Sequence, residues 1–363
     1  MSEHAGGSMV DTAALVDTAA RHDIDGTETA NPARRIAVLG ASGFIGSAVA
    51  AALARRPARL RLLARGPSPV PPEAVDAEVI TADLTDTGAL AEAVADADVV
   101  LNLLLYTGGG TWRAAEADPH SERTNVGVTR DLVRILRSNP RPGPPPIVVV
   151  PGSTSQLGAG GSGLVDGTEV DEPATVYDRQ KSAAEKVLTD ATADGVLRGV
   201  SLRLPTVFGA APHAADRGVV TAMARRALAG EPLTVWDGGE TERDLLHVRD
   251  AAEAVLACVD HADALSGTHW LIGTGRGTTV RALFTAIAAV VAEQTGRPAV
   301  DVVSVPAPVH ATEMDFRSII ADPTRFRTVT GWQAGVELRA ALKHTVAALI
   351  EETAHEESLS PRS

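Results

Sequence analysis

Arg35-Ile-Ala-Val-Leu-Gly-Ala-Ser-Gly-Phe-Ile-Gly46 joins an uncharged apolar run, Ile36 to Leu39, to a turn with glycine at every third position. A short apolar run bounded by glycine suits a strand buried on both faces, and the alanine-rich stretch from Ala48 to Arg55 suits a helix. Without side chains, Gly40 and Gly43 permit a tight turn and close approach of a pyrophosphate to the helix amino terminus. Gly46 permits close packing of helix on strand. Ser42, Phe44 and Ile45 lie in the same turn and are assigned with it to a cofactor. An ordinary strand-to-helix turn can use the same glycines, but the placement directly between strand and helix favours a dinucleotide.

Working outward, Arg59 to Leu63 reads as a second strand, and Val99 to Leu105 and Ile147 to Val150 as later ones, alternating with alanine-rich helical stretches. This βαβ alternation predicts a doubly wound parallel sheet. Pro140 to Pro146 is a stiff connector delivering the chain to Ile147. After Arg203 the pattern is less regular and predicts a smaller lobe that completes a cleft. The expected division is a mobile leader over 1–34, lacking the basic start and apolar block of a secretory signal, and a nucleotide-binding domain over 35–204 to which 241–265 returns. A substrate-binding lobe is expected over 205–240 and 266–350, and a charged, frayed tail over 351–363.

The chain has 363 residues, 44% hydrophobic, and a net charge of −13. No apolar run is long enough to span a bilayer, and the acidic balance disfavours nonspecific attraction to nucleic acid or an anionic membrane. A negatively charged ligand must therefore be met by locally placed arginines and backbone amides. The single cysteine, Cys258, excludes an internal disulfide and argues against a thiolate metal site, so no metal and a reducing cytoplasm are expected.

Cofactor choice is written at the end of the second strand, where an acidic residue would bind the ribose 2′-hydroxyl of NAD and an arginine accommodates the 2′-phosphate of NADP. Here the strand ends in Ala64-Arg65-Gly66, with no Asp or Glu at the turn. NADP(H) is favoured, unless Arg65 is simply a solvated surface residue. Asp83, in Thr81-Ala-Asp-Leu84, is placed to contact the adenine or to cap a strand end.

Tyr177 and Lys181 stand four residues apart at the start of a helix-compatible run, so both face one site. An ammonium beside a phenol favours the phenolate, which predicts a Tyr177 pKa lowered from about 10 towards the working pH. The chain holds only three lysines and two tyrosines, which makes this pairing less easily an accident.

These motifs together resemble the extended short-chain dehydrogenase/reductases, the NAD-dependent epimerase/dehydratase family, over roughly Arg35 to Leu349. The resemblance rests on the glycine turn, Asp83-Leu84, Asn125-Val126, Ser153, Tyr177 with Lys181, Arg203 through Gly209, and Arg243-Asp-Leu-Leu-His-Val248, in that order. It implies a Rossmann-type sheet with a smaller C-terminal lobe. It also implies that Ser153 hydrogen-bonds the substrate carbonyl, that Tyr177 transfers the proton, and that Lys181 tunes Tyr177 and holds the nicotinamide ribose. Thr154 and Ser155 remain open as the catalytic hydroxyl. The resemblance places Leu84, Leu104 and Leu204 along the cofactor and Asn125 and Thr154 at the substrate. Arg243 would hold a substrate diphosphate, or else pair with Asp244 or Asp250, and Arg317 would substitute for a second family arginine missing at Ala311-Thr-Glu.

Related dehydratases carry Asp-Glu where this chain has Thr154 and Ser155, so water elimination is not expected. Local strings such as Asp178-Arg-Gln-Lys181 and Ala229-Gly-Glu-Pro-Leu233 resemble dTDP-4-keto-6-deoxyhexose 4-ketoreductases of antibiotic deoxysugar pathways. That resemblance implies NADPH-dependent reduction of a C4 ketone on a dTDP-linked 6-deoxy or 2,6-dideoxy hexose. A redox-neutral epimerase with retained NAD and a noncatalytic NADP(H)-sensing protein are the alternatives. Tyr106 and Trp112 flank Gly108-Gly-Gly110, either a cover for the substrate or a plain surface loop. The sugar's configuration is not legible, and a homodimer is one arrangement the sequence leaves open.

Overall fold

The structure, a computed structural model, describes residues 34–108, 110, 112–116, 118–211, 218–309 and 311–359. The expected leader therefore lies outside the described residues, save Arg34, which begins the first strand. Seven strands form one parallel sheet in the order His269–Leu271, Arg198–Leu204, Ile147–Ser153, Val99–Asn102, Arg34–Leu39, Ala58–Ala64, Ala77–Thr81. The direction of winding reverses between Arg34–Leu39 and Val99–Asn102, and the crevice beyond their carboxyl ends is where a doubly wound sheet binds its ligand.

Side-chain alternation along the first strand explains the two-faced burial. Ile36 and Val38 pack with the helices Phe44–Leu53 and Val248–Asp260, whereas Ala37 and Leu39 pack on the opposite face with Leu90, Leu132 and Leu188. The segment 248–260 thus returns to the first sheet, and the strand His269–Leu271 joins it as an edge, a return longer than the sequence reading drew.

A second sheet joins Gly277–Thr279, Glu242–His247, Ile319–Ala321 and Gly163–Val165, with Thr206–Phe208 paired to Glu242–His247. Its strand Gly163–Val165 comes from the stretch assigned by sequence to the first domain. The glycines before it explain the detour, because a Cβ at Gly158 or Gly160 would fall 1.7 or 1.8 Å from the carbonyl oxygens of Glu172 and Val170. A third core, with Phe208, Leu233, Leu283, Ile287 and Val346, joins the helices Val219–Leu228, Val280–Thr295 and Leu338–Leu359. The last helix runs Leu338–Leu359, so the stretch expected as a frayed tail is helical that far. Among the described residues no helix is long and apolar enough to cross a membrane.

Candidate active site

The glycine turn is built as its sequence suggests. Gly40 has a φ of +86°, a conformation L side chains rarely adopt, and its amide donates to the Leu63 carbonyl at 2.8 Å. A Cβ on Gly46 would lie 2.0 Å from the Gly40 oxygen, and one on Gly40 would lie 3.2 Å from the Leu103 carbonyl. Backbone alone therefore forms the turn, with Leu104 packed beside it and the amino terminus of Phe44–Leu53 opening from Gly43. These residues fit a dinucleotide pyrophosphate.

Arg65 is exposed one residue past the second strand. Asp83, also exposed, accepts from the Thr85 amide at 3.0 Å and the Thr85 hydroxyl at 2.8 Å. Those bonds, and then the charges of Arg65 and Arg123, hold its carboxyl below the usual range. Leu84 is buried, and Leu204 lies in register beside Ser153.

Ser153 ends the strand Ile147–Ser153 and caps the turn Thr154–Leu157, its amide donating to Gln156 Oε1 at 2.8 Å. Tyr177 and Lys181 lie in the first turns of the helix Val176–Ala193, and the Tyr177 hydroxyl hydrogen-bonds Ser153. Lys181 Nζ sits 5.7 Å from the Tyr177 ring centroid and donates to the Pro151 carbonyl at 2.8 Å. The three residues named from sequence thus meet at one point. Thr154 is buried in the turn and Ser155 reaches Asp178, so Ser153 is the hydroxyl that meets Tyr177.

The expected lowering of the Tyr177 pKa does not hold. Loss of water around the hydroxyl, and then the adjacent Asp178, push the Tyr177 phenol above its ordinary value, with only the Ser153 bond opposing them. The physical reason is that burial pulls Lys181 down to about 8 and its ammonium is directed to a backbone carbonyl, while a carboxylate neighbours the phenol in sequence.

The helix start is held twice. Thr175 and Asp178 form a reciprocal capping box, and Glu116 Oε1 accepts from the amides of Val176 at 2.7 Å and Tyr177 at 3.3 Å. Glu116 was not singled out in the sequence; an acidic residue in an irregular loop carries no signal of the helix end it reaches. Asn125, expected at the substrate, donates to Gln180 Oε1 at 2.7 Å and accepts from the Tyr106 amide at 2.9 Å. It holds the helix Val176–Ala193 to the segment after the fourth strand. The Tyr106 hydroxyl donates to Asp118; of the glycine segment beside it, Gly109 lies outside the described residues, as does Thr111.

At the other side of the site Arg243 forms neither of the ion pairs weighed for it. Asp244 accepts from Thr274 and from the Ala321 amide, and Asp250 from the amides of Gly335 and Val336. Arg243 donates to the carbonyls of Arg317 at 2.6 Å, Asp315 at 2.7 Å and Glu242 at 3.0 Å. Arg317 in turn donates to the Ala159 carbonyl at 2.8 Å. Arg113, missed in the sequence, is paired with Asp315, and its charge acts on Arg243. Arg113 and Arg243 thus meet at Asp315, the one through its carboxylate and the other through its backbone carbonyl, with Arg317 next in line. Among the described residues no group of three or more His, Cys, Asp or Glu could hold a metal ion.

Comparison with known proteins agrees with this geometry. The model of the NAD dependent epimerase/dehydratase family matches residues 36–273. The chain is 29% identical over 322 residues to dTDP-6-deoxy-L-talose 4-dehydrogenase (NAD(P)(+)) of Kitasatospora kifunensis, covering 85% of this chain and 93% of that one. It is 25% identical over 299 residues to dTDP-L-rhamnose 4-epimerase of Burkholderia thailandensis, covering 70% and 81% respectively. Among solved structures, MoeE5 in complex with UDP-glucose and NAD matches with a TM-score of 0.71 at 25% identity, over 88% of this chain and 99% of that one. RMD from Pseudomonas aeruginosa, complexed with NADPH, matches in fold with a TM-score of 0.70 at 21% identity, over 88% and 99%.

Proposed function

We propose that this chain, which belongs to the NAD dependent epimerase/dehydratase family, reduces the C4 ketone of a dTDP-linked 4-keto-6-deoxy or 2,6-dideoxy hexose with NADPH. At the coarser level it is an NAD(P)-dependent enzyme that modifies nucleotide sugars. The observation that carries the reductase reading is the meeting of Tyr177 with Ser153, with Lys181 Nζ beside the Tyr177 ring and no Asp-Glu pair after Ser153.

NADPH, when bound, supplies the hydride. Gly40 to Gly46 would hold its pyrophosphate, Arg65 the 2′-phosphate, Asp83 and Leu84 the adenine end and Lys181 the nicotinamide ribose, with Leu104 and Leu204 along its length. Negative charge building on the C4 oxygen would be met by the Tyr177 proton and a hydroxyl bond from Ser153. Arg243 and the neighbouring Arg113 and Arg317 supply the positive charge that a diphosphate needs in a protein of net charge −13. The domain roles follow: the parallel sheet for NADPH, the smaller lobe for the sugar nucleotide.

Incubation with NADPH and a small panel of dTDP-4-ketosugars, with identification of the alcohol formed, tests the reading. Stoichiometric NADPH consumption and a C4 alcohol are expected. Protein that purifies with tightly held NAD and consumes no added NADPH would be a redox-neutral epimerase instead.

Cofactor choice is tested separately. NADPH is expected to bind more tightly than NADH, and Arg65→Ala to erase most of the difference by removing a charge-assisted phosphate contact. Equal dissociation constants for the two cofactors in the unmodified protein contradict the assignment.

For the diphosphate, Arg243→Ala is expected to weaken the sugar nucleotide by about 1.5–3 kcal/mol, the scale of a hydrogen bond to a charged group. NADPH affinity should hardly change. Comparable losses in Arg317→Ala and Arg113→Ala would support holding by several guanidinium groups. A free 4-ketosugar reduced as well as its dTDP form, with Arg243→Ala silent, would remove the nucleotide from the substrate.

A further inference from the structure

The first three amides after the cap of the helix Val176–Ala193 have no acceptor inside the helix. Thr175 Oγ1 accepts from the Asp178 amide at 3.0 Å and Glu116 from the other two, so a side chain 61 residues earlier in the chain holds the backbone of Tyr177 itself. Glu116 ends the 3₁₀ turn Trp112–Glu116, where residues three apart eclipse, and Arg113 is therefore presented on the same side. Arg113 pairs with Asp315, whose carbonyl accepts from Arg243 at 2.7 Å. One turn with opposite charges thus touches both the start of the Tyr177 helix and the turn Glu313–Phe316 that carries Asp315.

The turn is seated firmly enough to carry a displacement. Ala115, between the two charges, is buried, and its carbonyl accepts from Ser121 Oγ at 3.3 Å. Ser121 Oγ accepts in turn from Gln180 Nε2 at 2.8 Å, a second tie to the same helix. At the far end the Asp315 carboxylate divides its oxygens, Oδ2 accepting from the Thr312 amide and hydroxyl at 3.0 Å each and Oδ1 from Arg113. The Asp315 side chain is 14% exposed, so this pair is screened less than one open to water at both partners.

We propose that Glu116 is a positioning residue for Tyr177, and that the turn Trp112–Glu116 links the placement of the phenol to the arginines Arg113 and Arg243. This deepens the reductase reading and rests on it for Tyr177 as the proton donor and for a diphosphate at the arginines. A diphosphate drawn to Arg113 competes with Asp315 for the same guanidinium, and the displacement at that end is passed through Glu116 to the Val176 and Tyr177 amides. Binding energy from the part of the substrate that does not react then helps to place the group that does. A cap that served the helix alone would need Glu116 but not Arg113.

Hydrogen exchange read by mass spectrometry in the full chain, without substrate or cofactor, tests the link independently of what the enzyme reduces. Glu116→Ala is expected to speed exchange at the Val176 and Tyr177 amides by about fivefold or more, and Glu116→Gln, which keeps an acceptor oxygen, to restore most of the protection. Arg113→Ala takes no acceptor away, since a guanidinium has none, yet it is expected to speed the same amides by about twofold or more. Unchanged exchange in the buried strand Ile147–Ser153 confirms that each variant keeps the fold. With a dTDP-4-ketosugar that the parent reduces, Glu116→Ala should lower kcat about tenfold with KM within about twofold, Glu116→Gln should recover it, and Arg113→Ala should lower kcat as well as raise KM. Parental exchange at the helix start in Arg113→Ala, or an Arg113→Ala effect confined to KM, would leave Glu116 a local cap and overturn the link. Parental kcat in Glu116→Ala would remove its positioning role. A parent that reduces none of the ketosugars fails the reductase reading, and the exchange rates then decide the link alone.

Discussion

Tyr177→Phe will lower turnover by roughly 100-fold or more, about 2.7 kcal/mol of transition-state stabilisation, while NADPH affinity stays within about twofold of the parent. The substitution keeps the ring and deletes only the hydroxyl that bonds Ser153. The surroundings are arranged to survive it. Lys181 stays bonded to the Pro151 carbonyl, Ser153 to Ser155, and the helix start to Thr175 and Glu116. A loss in kcat without a loss in cofactor binding therefore reports the proton and not the scaffold. Single-turnover measurement at saturating substrate and cofactor isolates the step; turnover close to the parent would mean that another group protonates the sugar oxygen.

The first sheet and the pairing of Tyr177 with Lys181 were legible because each rests on a local rule, whereas Ser153 came with the family resemblance. The glycine turn must sit between a buried strand and a helix, and residues four apart on a helix must face one way. What escaped the reading depends on contacts far apart in the chain. Glu116 finds the helix start 60 residues away, and Arg113 meets Asp315 at a separation of 202. Asn125 matched a family position, but its bond to Gln180 across the helix face carried no sequence signal. The direction of the Tyr177 pKa was misjudged for a related reason. Proximity of Lys181 was readable, whereas burial of both groups, the capture of Lys181 by the Pro151 carbonyl and the charge of Asp178 come from the assembled site.

Arg203→Met will cost roughly 3–5 kcal/mol of folding stability, the scale for breaking a buried ion pair by removing one partner. Arg203 is fully buried and donates to Asp171 at 2.7 and 2.5 Å and to Glu185 at 3.0 and 2.5 Å. Glu185 also accepts from Ser201 at 2.6 Å, and it lies one helical turn beyond Lys181, so the network anchors the helix Val176–Ala193 to the sheet. Urea unfolding across pH separates charge from packing. Burial alone would raise the Glu185 pKa, but its bond to Arg203 and their attraction, with Ser201 and His269, outweigh it and hold the group below its ordinary value. In the parent, Glu185 therefore contributes stability above its unfolded pKa of about 4.3, which is lost as pH falls through the lower folded value. In Arg203→Met the burial that remains reverses the sign: Glu185 prefers its protonated form, and the fold loses stability as pH rises through and above the unfolded value. The gap between parent and variant should thus be widest near neutrality and shrink in acid, and Glu185→Leu added to Arg203→Met should recover part of the loss by removing the stranded carboxylate. A gap that stayed constant from neutral to acid pH would place the cost in lost side-chain packing and leave the ion network without a stabilising role.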